Sequence, residues 1–113
     1  LFKDANEINF CITRAGASSL AELVQINLPF VAIPFPYAKD NHQYYNALFY
    51  KKLNCCWMIE QNSNISKDLF NLISSFFENK NDLNEKINAM KKITYENSWN
   101  NINQKIIDSI NEN

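Results

Sequence analysis

Residues 8–29 read INFCITRAGASSLAELVQINLP, and this stretch places a short apolar run, a small-residue turn and a helical pattern in direct succession. Residues 8–13 are rich in β-branched and aromatic side chains, which predicts a strand. The turn that follows contains Gly16, the only glycine in the sequence. After the turn, apolar residues recur at the spacing of one helix face, at Leu20, Leu23 and Val24. The stretch therefore predicts a strand, a tight turn and a helix.

Residues 30–59 continue the alternation of strand and helix. Residues 30–33, FVAI, form a continuous apolar run of the kind found in strands buried on both faces of a parallel sheet. Residues 55–59, CCWMI, are a third strand candidate. The segment between them predicts a helix whose buried stripe would comprise Tyr45, Leu48, Phe49 and Leu53. This order of elements predicts an α/β fold with parallel strands.

Beyond residue 60 the apolar spacing is helical throughout. Ser66 is predicted to cap the first helix of this tail. Three apolar stripes follow: Leu69, Leu72, Ile73, Phe76 and Phe77; then Leu83, Ile87 and Met90; and last Ile102, Ile106 and Ile110. We expect the last stripe to pack on its own domain, with a surface for a partner as the alternative. We therefore divide the chain into an α/β part, residues 1–60, and a helical tail, residues 61–113.

Two positions are predicted to end helices in the left-handed conformation, a role that asparagine fills when glycine is absent. These are Asn27 and Asn54. At the other end of the first helix, Ser19 and Glu22 have the spacing of a capping box.

Composition restricts the class of protein. The chain has 113 residues and lacks an initiator methionine, so we expect one small domain or a fragment of one. A net charge of −1 gives no long-range field that would attract a phosphate backbone, so we do not expect the chain to bind nucleic acid. The three cysteines, Cys11, Cys55 and Cys56, have the spacing of neither a zinc site nor a disulfide framework, and on a strand the adjacent pair would point to opposite faces. The cysteine spacing fits a reducing compartment. We also expect no metal and no cofactor.

The first strand end carries residues suited to phosphate binding. Ligands of open α/β sheets lie beyond the carboxyl ends of the strands, where loops lead into helix N-termini. Most of residues 13–19 are small and allow close approach of a ligand to the backbone, and the new helix presents unpaired N–H groups and a positive dipole end. Glu22 can accept hydrogen bonds from a pair of sugar hydroxyls there, or it can close the capping box with Ser19.

The second strand end carries amide and imidazole side chains. His42, Gln43 and Asn46 can come together where the loop enters its helix, because Asn46 lies one turn after the other two. Such groups both donate and accept hydrogen bonds, which suits a neutral hexose. The alternative is that they cap the helix and satisfy the loop backbone.

These two ends and the residues between them resemble a known family. Residues 14–22 (RAGASSLAE), 28–29 (LP) and 33–47 (IPFPYAKDNHQYYNA) are similar to the donor-binding half of the MurG family, GT-B glycosyltransferases of a glycosyltransferase family 28-like group. The resemblance is continuous from about residue 9 to residue 59 and looser through the tail. It implies a Rossmann-like parallel sheet that forms part of the C-terminal, UDP-sugar-binding domain of a two-domain enzyme.

The resemblance also implies roles for individual residues. Backbone N–H groups would hold the diphosphate of the donor, one carboxylate would bind the ribose, and three side chains would contact or frame the N-acetylglucosamine (GlcNAc). These residues are, in that order, Ala17, Ser18 and Ser19; Glu22; and His42, Gln43 and Asn46. Gly16 and Arg14 are further candidates, although Arg14 can equally pair with a neighbouring carboxylate. Ala15 replaces the serine usual in the family and receives no polar role.

The activity implied by the resemblance is that of an inverting, metal-independent hexosyltransferase of peptidoglycan synthesis. It would transfer GlcNAc from UDP-GlcNAc to undecaprenyl-pyrophosphoryl-MurNAc-pentapeptide at the cytoplasmic face of the bacterial inner membrane. The acceptor, the membrane and the catalytic base would be contacted by an N-terminal domain that this chain lacks, so we expect the chain to be inactive alone. The alternative is a donor-binding subunit or non-catalytic module that needs a partner chain.

Overall fold

The computed structural model describes residues 8–37 and 41–111, and three parallel strands run through its middle. The elements in chain order are β1 (Cys11–Thr13), α1 (Ala17–Gln25), β2 (Phe30–Ala32), α2 (His42–Lys52), β3 (Cys56–Met58), α3 (Ile65–Glu78) and α4 (Asn81–Asn111). The predicted α/β fold with a parallel sheet is therefore confirmed. The strands are shorter than predicted, and residues 1–7, 38–40 and 112–113 of the predicted α/β part, loop and tail lie outside the described residues.

The sheet has the order β1-β2-β3, so β2 is its central strand. Thr13 pairs with Ala32, and Ala32 pairs with Met58, which aligns the carboxyl ends of all three strands. The loops that follow these ends therefore start from one edge of the sheet, which we call the carboxyl edge. This is the edge at which parallel α/β sheets bind their ligands.

Alternation along β2 divides the core into two layers. Phe30 and Ala32 are fully buried against α1, α2 and α4, in a cluster that includes Met90. Val31 is fully buried on the opposite face, where α3 packs through Phe76. Side chains of successive strand residues point to opposite faces, so a run without polar residues is buried on both.

Helix α2 packs through a different face from the one predicted. Ala47 is its fully buried residue, whereas Tyr45 and Phe49 are about 60% exposed, at 61% and 59%. The Cys56 thiol donates to the carbonyl oxygen of Ala47 over 3.8 Å, which shows how close α2 lies to β3. A small side chain permits that approach, so the predicted aromatic stripe faces outward and only Leu48 of that stripe is partly buried.

The helix starts differ from the predictions, whereas the helix ends match them. Helix α1 has Gly16 as its N-cap and α3 has Asn64, and neither start has a side-chain cap hydrogen bond. The proposed capping box and the proposed cap at Ser66 are therefore wrong, because both serines lie inside the first helical turn. Asn27 and Asn54 do adopt left-handed conformations, with φ of 57° and 63°.

The cysteine pair also differs from the prediction. Cys55 precedes β3 instead of lying on it, and it packs in the same core cluster as Cys56. All three cysteines are free thiols. The two buried thiols therefore share one side of the sheet.

In the tail, the second and third predicted stripes lie on one continuous helix, α4. Leu83 and Met90 are buried as predicted, but Phe77 of α3 is 68% exposed. The last stripe, which was expected to pack on its own domain, is exposed, and that expectation is wrong for the described residues: Ile102 is 49%, Ile106 54% and Ile110 68% exposed. None of the helices in the described part of the chain has the length and apolar character needed to span a bilayer.

Candidate functional site

The N-terminus of α1 presents three backbone donors at the carboxyl edge. The first hydrogen bond within the helix runs from the N–H of Leu20 to the carbonyl oxygen of Gly16, at 3.0 Å. The N–H groups of Ala17, Ser18 and Ser19 precede it and donate to no group among residues 8–37 and 41–111. All three residues are exposed. A Cβ placed on Gly16 would meet only the Ser19 hydroxyl, at 3.9 Å, so the approach to these donors is open.

Ala15 turns the chain from β1 into α1. It adopts the left-handed conformation, with φ of 74°, and is fully buried. Its N–H donates to Thr13 Oγ1 at 3.5 Å, and its carbonyl oxygen accepts from Asn46 Nδ2 at 3.2 Å. The Ala15 side chain has no polar group, but its backbone forms both hydrogen bonds. Through them the turn after β1 is connected to α2.

Glu22 lies on the outer side of α1 and not in a cap. It lines an open groove of about 500 Å³ together with Thr13 and Ser19, between α1 and β1. Its carboxylate is exposed and forms no ion pair with any described residue. The structure therefore places Glu22 and Ser19 together, beside the three free amides.

The start of α2 contributes one side chain that fixes the loop after β2 and another that contacts the turn after β1. Gln43 Oε1 accepts the N–H of Phe35 at 2.6 Å, which leaves the Gln43 amide hydrogens without a partner among the described residues. Asn46 holds the carbonyl of Ala15, as described above. His42 is the exposed first residue of α2. Glu22 and Gln43 are not hydrogen bonded to each other in the described part of the chain. A ligand that contacts both side chains would therefore have to extend from one to the other.

Arg14 pairs with no carboxylate among residues 8–37 and 41–111, although such a pair was one of the two expectations for it. Its Nη1 donates to Gln61 Oε1, and its guanidinium carbon lies 5.7 Å from the centre of the Phe35 ring. Arg14 follows β1, Phe35 follows β2 and Gln61 follows β3. The contacts therefore connect all three strand ends across the carboxyl edge.

Gln61 and Phe35 were missed as candidate residues in the sequence. Gln61 follows the carboxyl end of β3, as the predicted site residues follow those of β1 and β2, and this position is the signal that indicates it. As for metals, the described residues contain no cluster of three or more histidine, cysteine, aspartate or glutamate side chains.

Comparison with known proteins identifies a family and several relatives. The family model described as glycosyltransferase family 28 C-terminal domain matches residues 3–104. The UDP-N-acetylglucosamine–N-acetylmuramyl-(pentapeptide) pyrophosphoryl-undecaprenol N-acetylglucosamine transferase of Pelagibacter ubique (strain HTCC1062) is 51% identical over 105 residues, which cover 93% of this chain and 30% of that protein.

Proteins of the same name from two other bacteria are similar over shorter stretches. The one from Helicobacter pylori (strain Shi470) is 48% identical over 65 residues, covering 58% of this chain and 18% of that protein. The one from Elusimicrobium minutum (strain Pei191) is 44% identical over 75 residues, covering 66% and 21%. No solved structure matches the chain. The chain thus spans less than a third of the length of these relatives.

Proposed function

Because the chain belongs to the glycosyltransferase family 28 C-terminal domains, we propose that it is the UDP-GlcNAc-binding part of a bacterial hexosyltransferase of peptidoglycan synthesis. The complete enzyme would transfer GlcNAc to undecaprenyl-pyrophosphoryl-MurNAc-pentapeptide, as the names of the relatives state for those proteins. The observation that carries the proposal is the set of three N–H groups at the start of α1 that donate to no described residue.

The diphosphate of the donor would bind at these amides. Unpaired N–H groups and the positive end of the helix dipole together favour an anion. Ala17, Ser18 and Ser19 supply the donors, and the left-handed turn at Ala15 directs the start of α1 to the edge where both loops meet. Gly16 leaves room for the phosphates because it has no side chain.

The two sugars of the donor would lie on either side of the Ala17, Ser18 and Ser19 amides. Glu22 lines the groove beside α1, where its carboxylate can accept both ribose hydroxyls. Gln43 has free amide hydrogens for the GlcNAc, and His42 lies next to it at the start of α2. Asn46 would frame the hexose indirectly, since its amide already holds the loop at Ala15.

The chemical task of this part would be leaving-group stabilisation. The 4-hydroxyl of the muramyl sugar attacks the anomeric carbon of GlcNAc, the bond to the diphosphate breaks, and its electron pair leaves with UDP. The negative charge that grows on the diphosphate is met by preorganised amides, which cost no reorganisation during the reaction. The proton from the hydroxyl would go to a base in the acceptor domain of the complete enzyme.

The remaining partners would be handled by other parts of the complete enzyme. The lipid-linked acceptor and the membrane would contact an acceptor domain, and the enzyme would work at the cytoplasmic face of the inner membrane. In this arrangement residues 1–60 hold the donor motifs and residues 61–113 form the supporting helical part. The isolated chain would then bind donor without turning it over.

Titration of the ¹⁵N-labelled chain with UDP-GlcNAc tests the proposal. We expect the amide resonances of Ala17, Ser18 and Ser19 to shift, and Glu22→Gln to weaken binding about tenfold, the size of a lost hydrogen bond to a charged group. Removal of a negative charge alone would tighten binding of an anionic ligand, so a loss is specific to the ribose contact. Glu96→Gln, which removes the same charge from the exposed part of α4, serves as the control.

The opposite results would contradict the proposal in two distinct ways. Amide shifts confined to other parts of the chain would place the ligand elsewhere. If Glu22→Gln binds UDP-GlcNAc as tightly as Glu96→Gln does, with affinity unchanged or increased, then Glu22 does not bind the ribose.

A further inference from the structure

Arg14 is held in place without losing its charge. Its guanidinium has two described contacts, the amide oxygen of Gln61 and the ring face of Phe35. Both partners are neutral, and no carboxylate among the described residues forms an ion pair with it. A guanidinium has five N–H donors, so most of them remain available together with the full positive charge.

The two contacts fix Arg14 from two directions. Gln61 lies beyond β3, 47 residues away in sequence, so its hydrogen bond spans the width of the sheet. Phe35 lies beyond β2, and its backbone is fixed in turn by Gln43. An exposed arginine normally samples many rotamers, and ordering it in advance lowers the entropy that a ligand must remove on binding.

We propose that Gln61 is a positioning residue that holds the Arg14 guanidinium toward the diphosphate of the sugar nucleotide. The inference rests on the proposed function, because the anion it concerns would lie at the α1 amides, three residues beyond Arg14. A carboxylate at position 61 would orient Arg14 equally well but would neutralise it. A glutamine orients the guanidinium and leaves its charge for the ligand.

A double-mutant cycle on donor binding tests this role. The dissociation constant of UDP-GlcNAc is measured for the chain, for Gln61→Met, for Arg14→Met and for the double variant, with Gln104→Met on the exposed part of α4 as the matched control. We expect Arg14→Met to weaken binding about tenfold and Gln61→Met about threefold to tenfold. In the Arg14→Met background, Gln61→Met should have no further effect, because its action passes through Arg14.

Two further measurements separate positioning from a general structural effect. Both side chains are exposed, so the melting temperatures of all variants should match that of the original chain. The salt dependence of the dissociation constant should become shallower in Arg14→Met and, to a smaller extent, in Gln61→Met, since an oriented charge contributes more to anion binding.

The outcomes distinguish the inference from the function on which it rests. If Gln61→Met weakens binding by the same factor in both backgrounds, or in neither, the positioning role is wrong while donor binding stands. If the original chain fails to bind UDP-GlcNAc, both the proposed function and this inference are overturned.

Discussion

Ala15 adopts φ of 74° although the neighbouring Gly16 adopts φ of −66°. The left-handed conformation costs an L-residue about 1–2 kcal/mol, which glycine would avoid. It persists at Ala15 because the residue is fully buried and both of its backbone groups are hydrogen bonded, to Thr13 and Asn46. The glycine lies one residue later, where a missing side chain keeps the approach to the α1 amides open.

Cys56 is a buried thiol whose titration couples to folding. Burial raises its pKa to about 12; the neighbouring Cys55 adds to this rise, and Lys86 and Lys51 oppose it. Burial also raises the pKa of Cys55 and of Tyr50. Since the folded pKa of Cys56 exceeds the unfolded value of 9.0, its contribution to stability is fully present below about pH 9 and is lost as the pH rises toward 12.

Alkaline destabilisation should therefore depend on Cys56. Between about pH 8 and about pH 10.5 we expect this thiol to lower the free energy of unfolding by about 2 kcal/mol. Urea unfolding of the chain and of Cys56→Ala under reducing conditions measures the difference. The variant should be less stable at pH 8 but lose less stability with pH, retaining only the slope due to Cys55 and Tyr50. Parallel curves for the two proteins would contradict the assignment.

At the scale of elements, the ends of α1 and α2 use the same residue in different surroundings. Asn27 and Asn54 have nearly equal left-handed φ values, 57° and 63°. The Asn54 Oδ1 accepts Lys86 Nζ at 2.6 Å, which ties α4 to the turn after α2. The Asn27 Oδ1 is buried and accepts no hydrogen bond from a described residue. One amide therefore stabilises the fold, and the other carries an unsatisfied acceptor.

The same substitution should consequently act differently at the two helix ends. Asn27→Gly removes the buried oxygen and keeps an easy left-handed backbone, so we expect about 1–2 kcal/mol of stabilisation. Asn54→Gly gains the same backbone freedom but loses the Lys86 bond, and it should stay within about 0.5 kcal/mol of the original chain. Chemical denaturation of both variants gives the comparison. Equal effects at the two sites would show that the Asn27 oxygen is satisfied in solution.

The order of elements was predictable because apolar spacing distinguishes strands from helices, and asparagine marks the left-handed helix ends. The buried face of α2 was not predictable. Apolar side chains surround this helix, at Tyr45, Ala47, Leu48 and Phe49 among others, so spacing alone selects no face. The buried face of α2 is determined by close packing against the sheet, where the small side chain of Ala47 fits. The predicted helix starts were wrong because α1 and α3 begin at Gly16 and Asn64 without a side-chain cap, and the nearby serines lie inside the first turn.

Sequence also indicated part of the candidate site. The three α1 amides and Glu22 follow from one local strand–turn–helix unit, so their placement needed no long-range information. The Arg14 and Gln61 contact joins residues 47 positions apart. It depends on the register of all three strands, which only the folded sheet defines.

At the scale of the whole molecule, α4 extends well beyond the sheet. The molecule measures 61 × 41 × 24 Å, and Met90 is the last fully buried residue of this helix. Ile93 and Thr94 of α4 still line a groove together with residues of α1 and α2. Beyond Asn101 the apolar residues, Ile102 among them, are about half exposed or more, so packing on the rest of the described chain gives the final turns little support.

A helical segment without packing partners is marginally stable in water when it is shorter than about 12–15 residues. We therefore expect the amides of residues 102–111 to exchange with solvent within the shortest labelling time, while those around Met90 are protected as strongly as the sheet. Deletion of residues 102–113 should leave the melting temperature nearly unchanged, whereas Met90→Ala should cost about 2–5 kcal/mol. A large fall in stability on deletion, or slow exchange in the final turns of the chain, would mean that the isoleucine stripe is covered in solution.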